Sequence, residues 1–327
     1  MSSSDQKELL VRTLSKHLYA DEQLSAYVLV DPILREPFEK EWLDDLSCEV
    51  FTIHTQSPSL EERQQPRLIR LNPKVAELLD ESVSRTLEEQ SDPQSELTRG
   101  FAMGGWLLTT VSGSSLAKHL ALCMRRTLYL KDKWSFFRWQ DRRVMEWMWP
   151  QLTLRQQCAL LGPITQWWAL DRRDQLCVYS AVPSDDASIR TRPGIILNAQ
   201  QGRHAQCCEL SQAVIRGWRM FCPRLPTDYH QTADKIISMA LEQGVQSQQD
   251  IVLLAAYTLQ VHTELLTHPK VNAMIYQANQ QPGSLDRLIR SVSDSEWSLI
   301  QYELDGGHSN SGTELFGGDT SDGCSGE

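Results

Sequence analysis

Hydrophobic positions recur with two different periods along the first half of the chain. Between Asp5 and Leu18, residues Leu9, Leu10, Leu14 and Leu18 fall near helical spacing, which predicts a helix. Tyr27-Val28-Leu29-Val30-Asp31 is a short apolar run stopped by Pro32, the pattern of a buried strand. Phe38 to Leu46 predicts a helix with an acidic outer face, and the stretches Val50 to His54 and Arg67 to Leu71 predict strands. Pro73 to Leu87 predicts a helix with Pro in its first turn and Asn72 as its cap. Gly104-Gly105 reads as a turn ahead of a β-rich run from Trp106 to Val111. Ser114 or Ser115 then caps a helix from Leu116 to Arg126. Thr153-Leu154-Arg155-Gln156 matches a capping box, and its helix stops at Gly162-Pro163. Strands alternating with helices predict a mixed α/β fold in the first half, with both sheet faces covered.

From Arg172 to Pro226 the periodicity weakens under repeated Pro and Gly. Helical patterns follow. Thr227-Asp228 caps one ending near Gly244, and Ser247 starts another. The run Ile251 to Leu266, apolar on most faces, predicts a central helix of a small bundle ended by His268-Pro269. Leu285, Leu288, Ile289 and Val292 form one more stripe. The expected organisation is a sheet-and-helix domain over 1–171, a connecting region over 172–226, a mainly helical lobe over 227–304 and an acidic tail over 305–327. The tail holds seven Gly, four Ser, five acids and no Lys or Arg, so it is expected to be disordered. It is read as a solvated leash, with Leu315-Phe316 as its one apolar pair.

Composition narrows the class. The chain has 327 residues, 41% apolar and 23% charged, which is ordinary for a globular protein. It has no run of 18 apolar residues, and Met1 to Glu8 lack a signal-peptide core. A cytoplasmic location with no membrane partner is expected. The formal charge of −10 argues against a whole-surface nucleic-acid binder. Eight scattered cysteines are no disulfide framework and are read mostly as small buried apolar residues.

No nucleophile elbow, dinucleotide fingerprint or phosphate loop occurs, so no catalytic residue and no cofactor are expected. His204, Cys207, Cys208 and Cys222 form the one metal-like cluster. They lack a paired C-x-x-C spacing, so no metal is expected. The acidic pairs Glu61-Glu62, Glu88-Glu89 and Asp185-Asp186 are read as solvated surface. Six of the ten Trp lie between 134 and 168, and residues 118–143 hold eight Lys or Arg against two Asp. Three readings of this cluster are open. The rings fill the core and Arg pairs with acidic helices; or the cluster is a protein interface; or it binds single-stranded nucleic acid. An enzyme built from dispersed Cys and His is a further alternative.

The segment Phe136-Phe137-Arg138-Trp139-Gln140-Asp141-Arg142-Arg143-Val144 resembles the F-R-[FY]-x-D-P-R-V-[LM] signature of type VI secretion effector-adaptor proteins. Other stretches keep the family's order. Tyr27 to Asp31 looks like its opening strand, Pro66 to Leu71 its P-x-L-[IV]-x-L stretch, and Gly105-Trp106 with Ser114 to Leu128 its strand and following helix, with His119-Leu120 in place. Leu161-Gly162-Pro163-Ile164 resembles its F-G-P-[VI] element. The resemblance spans about residues 26 to 170. Arg142 stands where the family usually has Pro, and Ala121 where an Arg is usual.

This resemblance implies a non-enzymatic chaperone-like adaptor in the bacterial cytoplasm. Such adaptors bind a toxic effector and load it onto the spike protein VgrG for export. The implied split has the shared domain serving VgrG and the variable C-terminal lobe recognising the effector. Arg138, Trp139, Asp141, Arg142, Arg143, Gly162 and Pro163 are the signature positions, partner-binding or structural. Asp141 either pairs with Arg138 or Arg143 to fix a turn, or the arginines project as a partner-facing fork.

Overall fold

The computed structural model describes residues 3–55, 57, 60–125, 127–128, 134–135, 137–180 and 195–306. The chain divides into two compact units, Met1–His230 and Gln231–Glu327.

The first unit runs α1 (Ser3–Leu18), β1 (Ser25–Val30), α2 (Lys40–Asp45), β2 (Val50–Thr52), β3 (Arg67–Leu71), α3 (Ala76–Ser91), α4 (Glu96–Arg99), β4 (Met103–Thr109) and α5 (Gly113–Arg125). It continues with β5 (Thr127–Leu128), β6 (Trp134–Ser135), α6 (Arg142–Met148), α7 (Leu154–Leu161), β7 (Ile164–Leu170), β8 (Leu176–Tyr179), β9 (Ile195–Ile196), α8 (Ala199–Gln206) and α9 (Cys208–Phe221). The described part of residues 172–226, expected as a connecting region, thus carries β8, β9, α8 and α9. The main sheet has six strands in the order β2-β3-β1-β4-β7-β8, each antiparallel to its neighbours. A small second sheet has the order β6-β5-β9.

Successive side chains of a strand point to opposite faces, and the register sorts the apolar residues accordingly. Val28 lies opposite Ile69 and Trp106, and Trp106 opposite Trp168. Together with Leu14 of α1 and Leu79 and Val83 of α3 these residues form one core. On the other face Tyr27, Leu68, Leu107 and Trp167 pack with Leu116 and Leu120 of α5, Met145 of α6 and Leu160 of α7. The sheet is therefore the middle of three layers, as the alternating pattern predicts. Its consecutive Trp167 and Trp168 feed opposite cores.

Several local expectations need correction. Gly104-Gly105 is not a turn but lies inside buried β4. Leu29 pairs with Gly105 and Val30 with Met103, so Gly104 bulges out of the ladder. A Cβ on Gly104 would sit 2.5 Å from the Gln140 carbonyl oxygen. One on Gly105, whose φ is +115°, would sit 2.2 Å from the Trp168 oxygen. Close backbone approach, not chain reversal, demands glycine here. Helix α3 starts later than expected, because Asn72-Pro73 forms a turn in which Val75 N–H donates to Asn72 O at 2.9 Å. The cap of α5 is Ser112, whose Oγ accepts from Ser115 N–H at 3.4 Å. Of the seven described cysteines only Cys123 is fully buried; the others are half-buried.

The described part of the second unit is helical. Helix α10 (Tyr229–Glu242) begins at the boundary, followed by α11 (Gln248–Gln260), α12 (Pro269–Gln280), α13 (Leu285–Arg290) and α14 (Asp294–Gly306). Ile236, Leu254, Val271, Ile275, Leu285 and Ile300 are buried within it. Ser247 caps α11 as its sequence predicts. That helix ends at Gln260 rather than Leu266, and its buried residues are Ile251, Leu254, Ala255 and Thr258. His268-Pro269 starts α12 instead of ending α11. His268 Nδ1 accepts from Lys270 N–H at 3.2 Å, and Pro269 occupies the first helical position. Asp305 and Gly306 close α14; the rest of the expected tail, with Leu315-Phe316, lies outside the described residues.

Candidate functional site

Residues Arg138 to Arg143 of the signature segment supply charges to a buried cluster. Asp141 caps α6. Its Oδ1 accepts from Arg143 N–H at 3.0 Å and from Arg143 Nε at 2.9 Å, and its Oδ2 from Arg143 Nη2 at 2.7 Å. Arg143 also donates from Nη1 to Glu96 Oε1 at 2.8 Å. Glu96 is held from the other side by Arg172, whose Nη1 and Nη2 donate at 2.6 and 2.9 Å. The Arg172 Nη2 also reaches Gln212 of α9. Paired guanidiniums and their hydrogen bonds hold the Asp141 carboxyl far below the usual carboxylate range against burial. Arg172 and Arg143 likewise outweigh burial to lower Glu96.

Arg142 occupies a second pocket of the same cluster. Its Nη1 lies 3.2 Å from Glu89 Oε2, and its guanidinium donates to Met103 O and Thr86 O, each at 3.3 Å. Glu89 accepts from Ala102 N–H at 2.7 Å and Met103 N–H at 3.1 Å, and Arg35 lies at 3.2 Å. Burial raises the Glu89 carboxyl, opposed first by Arg142 and then by the Ala102 N–H. The guanidinium carbons of Arg142, Arg143 and Arg172 gather over the Phe101 ring at 4.2, 4.7 and 5.1 Å. Arg138 completes the line. Its Nη2 donates to Asp31 Oδ2 at 2.7 Å, and Gln140 Nε2 adds a bond to the same oxygen at 3.0 Å.

Arg138, Trp139, Asp141, Arg142, Arg143, Gly162 and Pro163 thus each have a defined place. Asp141 and Arg142 are each 3% exposed, so the Arg142 guanidinium is sequestered rather than presented to a partner. Trp139 is fully buried, with the Phe137 ring 4.5 Å away. Gly162 and Pro163 sit apart from the ions. Gly162, at φ +53°, ends α7 against the His119 ring, where a Cβ would lie 2.2 Å from Cε1. Pro163 O accepts from Thr109 Oγ1 at 2.9 Å. His119 Nε2 in turn contacts Leu160 O at 2.8 Å. Phe136 lies outside the described residues.

Glu88-Glu89 is corrected by this geometry: Glu89 is buried and ion-paired, not solvated. Sequence reasoning also missed Glu96, Phe101 and Arg172. Of the metal-like cluster, His204 stacks on Trp147 with centroids 4.2 Å apart, and its Nε2 contacts Trp147 O at 3.2 Å. Asp185-Asp186 lies outside the described residues.

Chemically the cluster is a clamp. Asp141 and Glu96 are saturated by guanidinium donors and held ionised, which suits fixing backbone segments and does not suit proton transfer at neutral pH. It ties the ends of β1 and β4 to α3, α4, α6, the start of the β7–β8 turn and α9. A six-stranded antiparallel sheet covered by helices and clamped in this way is the frame of the domain. Residues 3–159 match a family model described as a domain of unknown function, DUF4123. That family is associated with type VI secretion effector adaptors. No curated protein and no solved structure matches the chain.

Proposed function

We propose that this protein is a non-enzymatic adaptor of bacterial type VI secretion. It acts in the cytoplasm, binds a cognate toxic effector and loads it onto the VgrG spike. The observation that carries this reading is the family match over residues 3–159, which contains the whole signature segment. The clamp supports it from physics. An adaptor needs a rigid frame that presents surface, and the ionisable groups of the signature are committed to holding that frame. The nucleic-acid reading is less well supported, because Trp139, Trp147 and Trp167 are buried and offer no ring face for a base to stack on.

The division of labour follows the same reading. The sheet domain serves VgrG, and the helical second unit recognises the effector. The test is capture from the native bacterium with tagged full-length protein, read by mass spectrometry. Co-recovery of VgrG and a large toxin-like protein is expected. Recovery of nucleic acid, or of neither protein, overturns the proposal.

A further inference from the structure

Edge strand β2 and helix α5 enclose a groove of about 620 Å³. The backbone on one wall is open for bonding among the described residues. Glu49 O accepts from Arg70 N–H at 2.9 Å, and Ile53 N–H donates to Pro66 O at 2.8 Å. Bonded residues alternate along an antiparallel pair, so Phe51 between them also faces β3. The N–H and C=O groups of Val50 and Thr52 therefore point away from β3. Strand β2 ends the sheet order, with β3 as its one partner among the described strands.

The opposite wall is shaped and charged. Ala117 and Ala121 lie one turn apart on α5 and line the groove with small side chains. Lys118 and Arg125 line it as well, and among the described lining residues there is no Asp or Glu. Lys118 is exposed and makes no ion pair among the described residues. The whole chain carries −10, whereas the described lining of this groove includes two basic residues and no carboxylate. An open strand edge supplies main-chain bonds, small residues leave room for side chains, and the Lys118 ammonium selects carboxylates.

We propose that the groove takes an extended acidic segment of another protein, which adds to the sheet as a strand beside β2. About four to six residues of the segment span the site, given the rise of roughly 3.3 Å per residue in a strand. Its apolar side chains lie over Ala117 and Ala121, and its carboxylates meet Lys118. The inference stands on the groove alone and does not require the adaptor reading.

The test uses full-length protein and a fluorescently labelled, blocked octapeptide of valines and glutamates in equal number. A second peptide has every glutamate replaced by lysine. Fluorescence polarisation at physiological salt should show saturable binding of the acidic peptide, and binding of the lysine peptide weaker by at least about tenfold. Lys118→Glu, on an exposed side chain, should keep the melting temperature and weaken the acidic peptide by about tenfold. Thr52→Pro removes an outward N–H without touching the β2–β3 ladder and should weaken it similarly. Absence of binding by the acidic peptide overturns the proposal. So does equal binding of the two peptides, or unchanged binding to Lys118→Glu. If Thr52→Pro unfolds, Lys118→Glu decides alone.

Discussion

Arg143 grips Asp141, two residues before it, through a backbone N–H and two guanidinium nitrogens at 2.7 to 3.0 Å. One carboxylate therefore caps the helix and neutralises the second of the two arginines that open it. The same Arg143 reaches on to Glu96, so the cap is wired to a helix 47 residues away in sequence.

Removing one partner from such a pair strands a charge in the interior. Asp141→Ala should destabilise the fold by about 3–5 kcal/mol. Urea unfolding followed by circular dichroism measures this. A melting curve identical to wild type would show that the pair carries no stability.

Glu96 has two guanidinium partners, so its loss should be as severe and should leave a pH signature. Its folded carboxyl is lowered from the ordinary value of 4.5. The stability it supplies is complete above that value and is lost as pH falls through the lower folded one. Wild type should therefore lose stability between pH 5 and 3 more steeply than Glu96→Gln does. Unfolding midpoints across that range check it, and parallel curves would refute the coupling.

His119 predicts an acid effect at a higher pH. Burial lowers its folded value below the ordinary 6.5, so the native state holds the neutral ring while the unfolded chain takes up a proton. Its contribution is complete above about 6.5 and falls away as pH drops below it. The stability difference between wild type and His119→Gln should shrink from pH 7.5 to pH 5.5, measured by urea midpoints.

Gly105→Ala should be among the most damaging single changes outside the ion cluster. The new methyl would meet the Trp168 carbonyl oxygen at 2.2 Å in a backbone conformation with φ +115°. A loss of at least about 2 kcal/mol is expected from overpacking and strain together. Thermal melting reads it directly, and a stable variant would mean that β4 slides to absorb the methyl.

Much of the frame was legible in the sequence because periodicity reports burial. β3 spans Arg67 to Leu71 as its apolar run predicts, and Thr153 and Gln156 form both limbs of their capping box. The glycines of β4 misled because Gly-Gly marks tight approach as well as turns, and only the opposing carbonyls distinguish the two. Glu89 had a usable signal. It continues the buried row Leu79, Ser82, Thr86 at helical spacing, so the stripe itself placed it inward. Arg172 and Glu96 had none, since their meeting depends on elements 76 residues apart in sequence.

The clamp also sets an order of events during synthesis. Glu96 is complete only when Arg172 has arrived, and Arg172 also engages Gln212. The family match ends at residue 159, short of both. A nascent chain that has left the ribosome only that far holds Asp141 and Arg143 but lacks the second cation of Glu96. The recognisable domain is thus an unfinished folding unit, and its last lock closes only when α9 emerges.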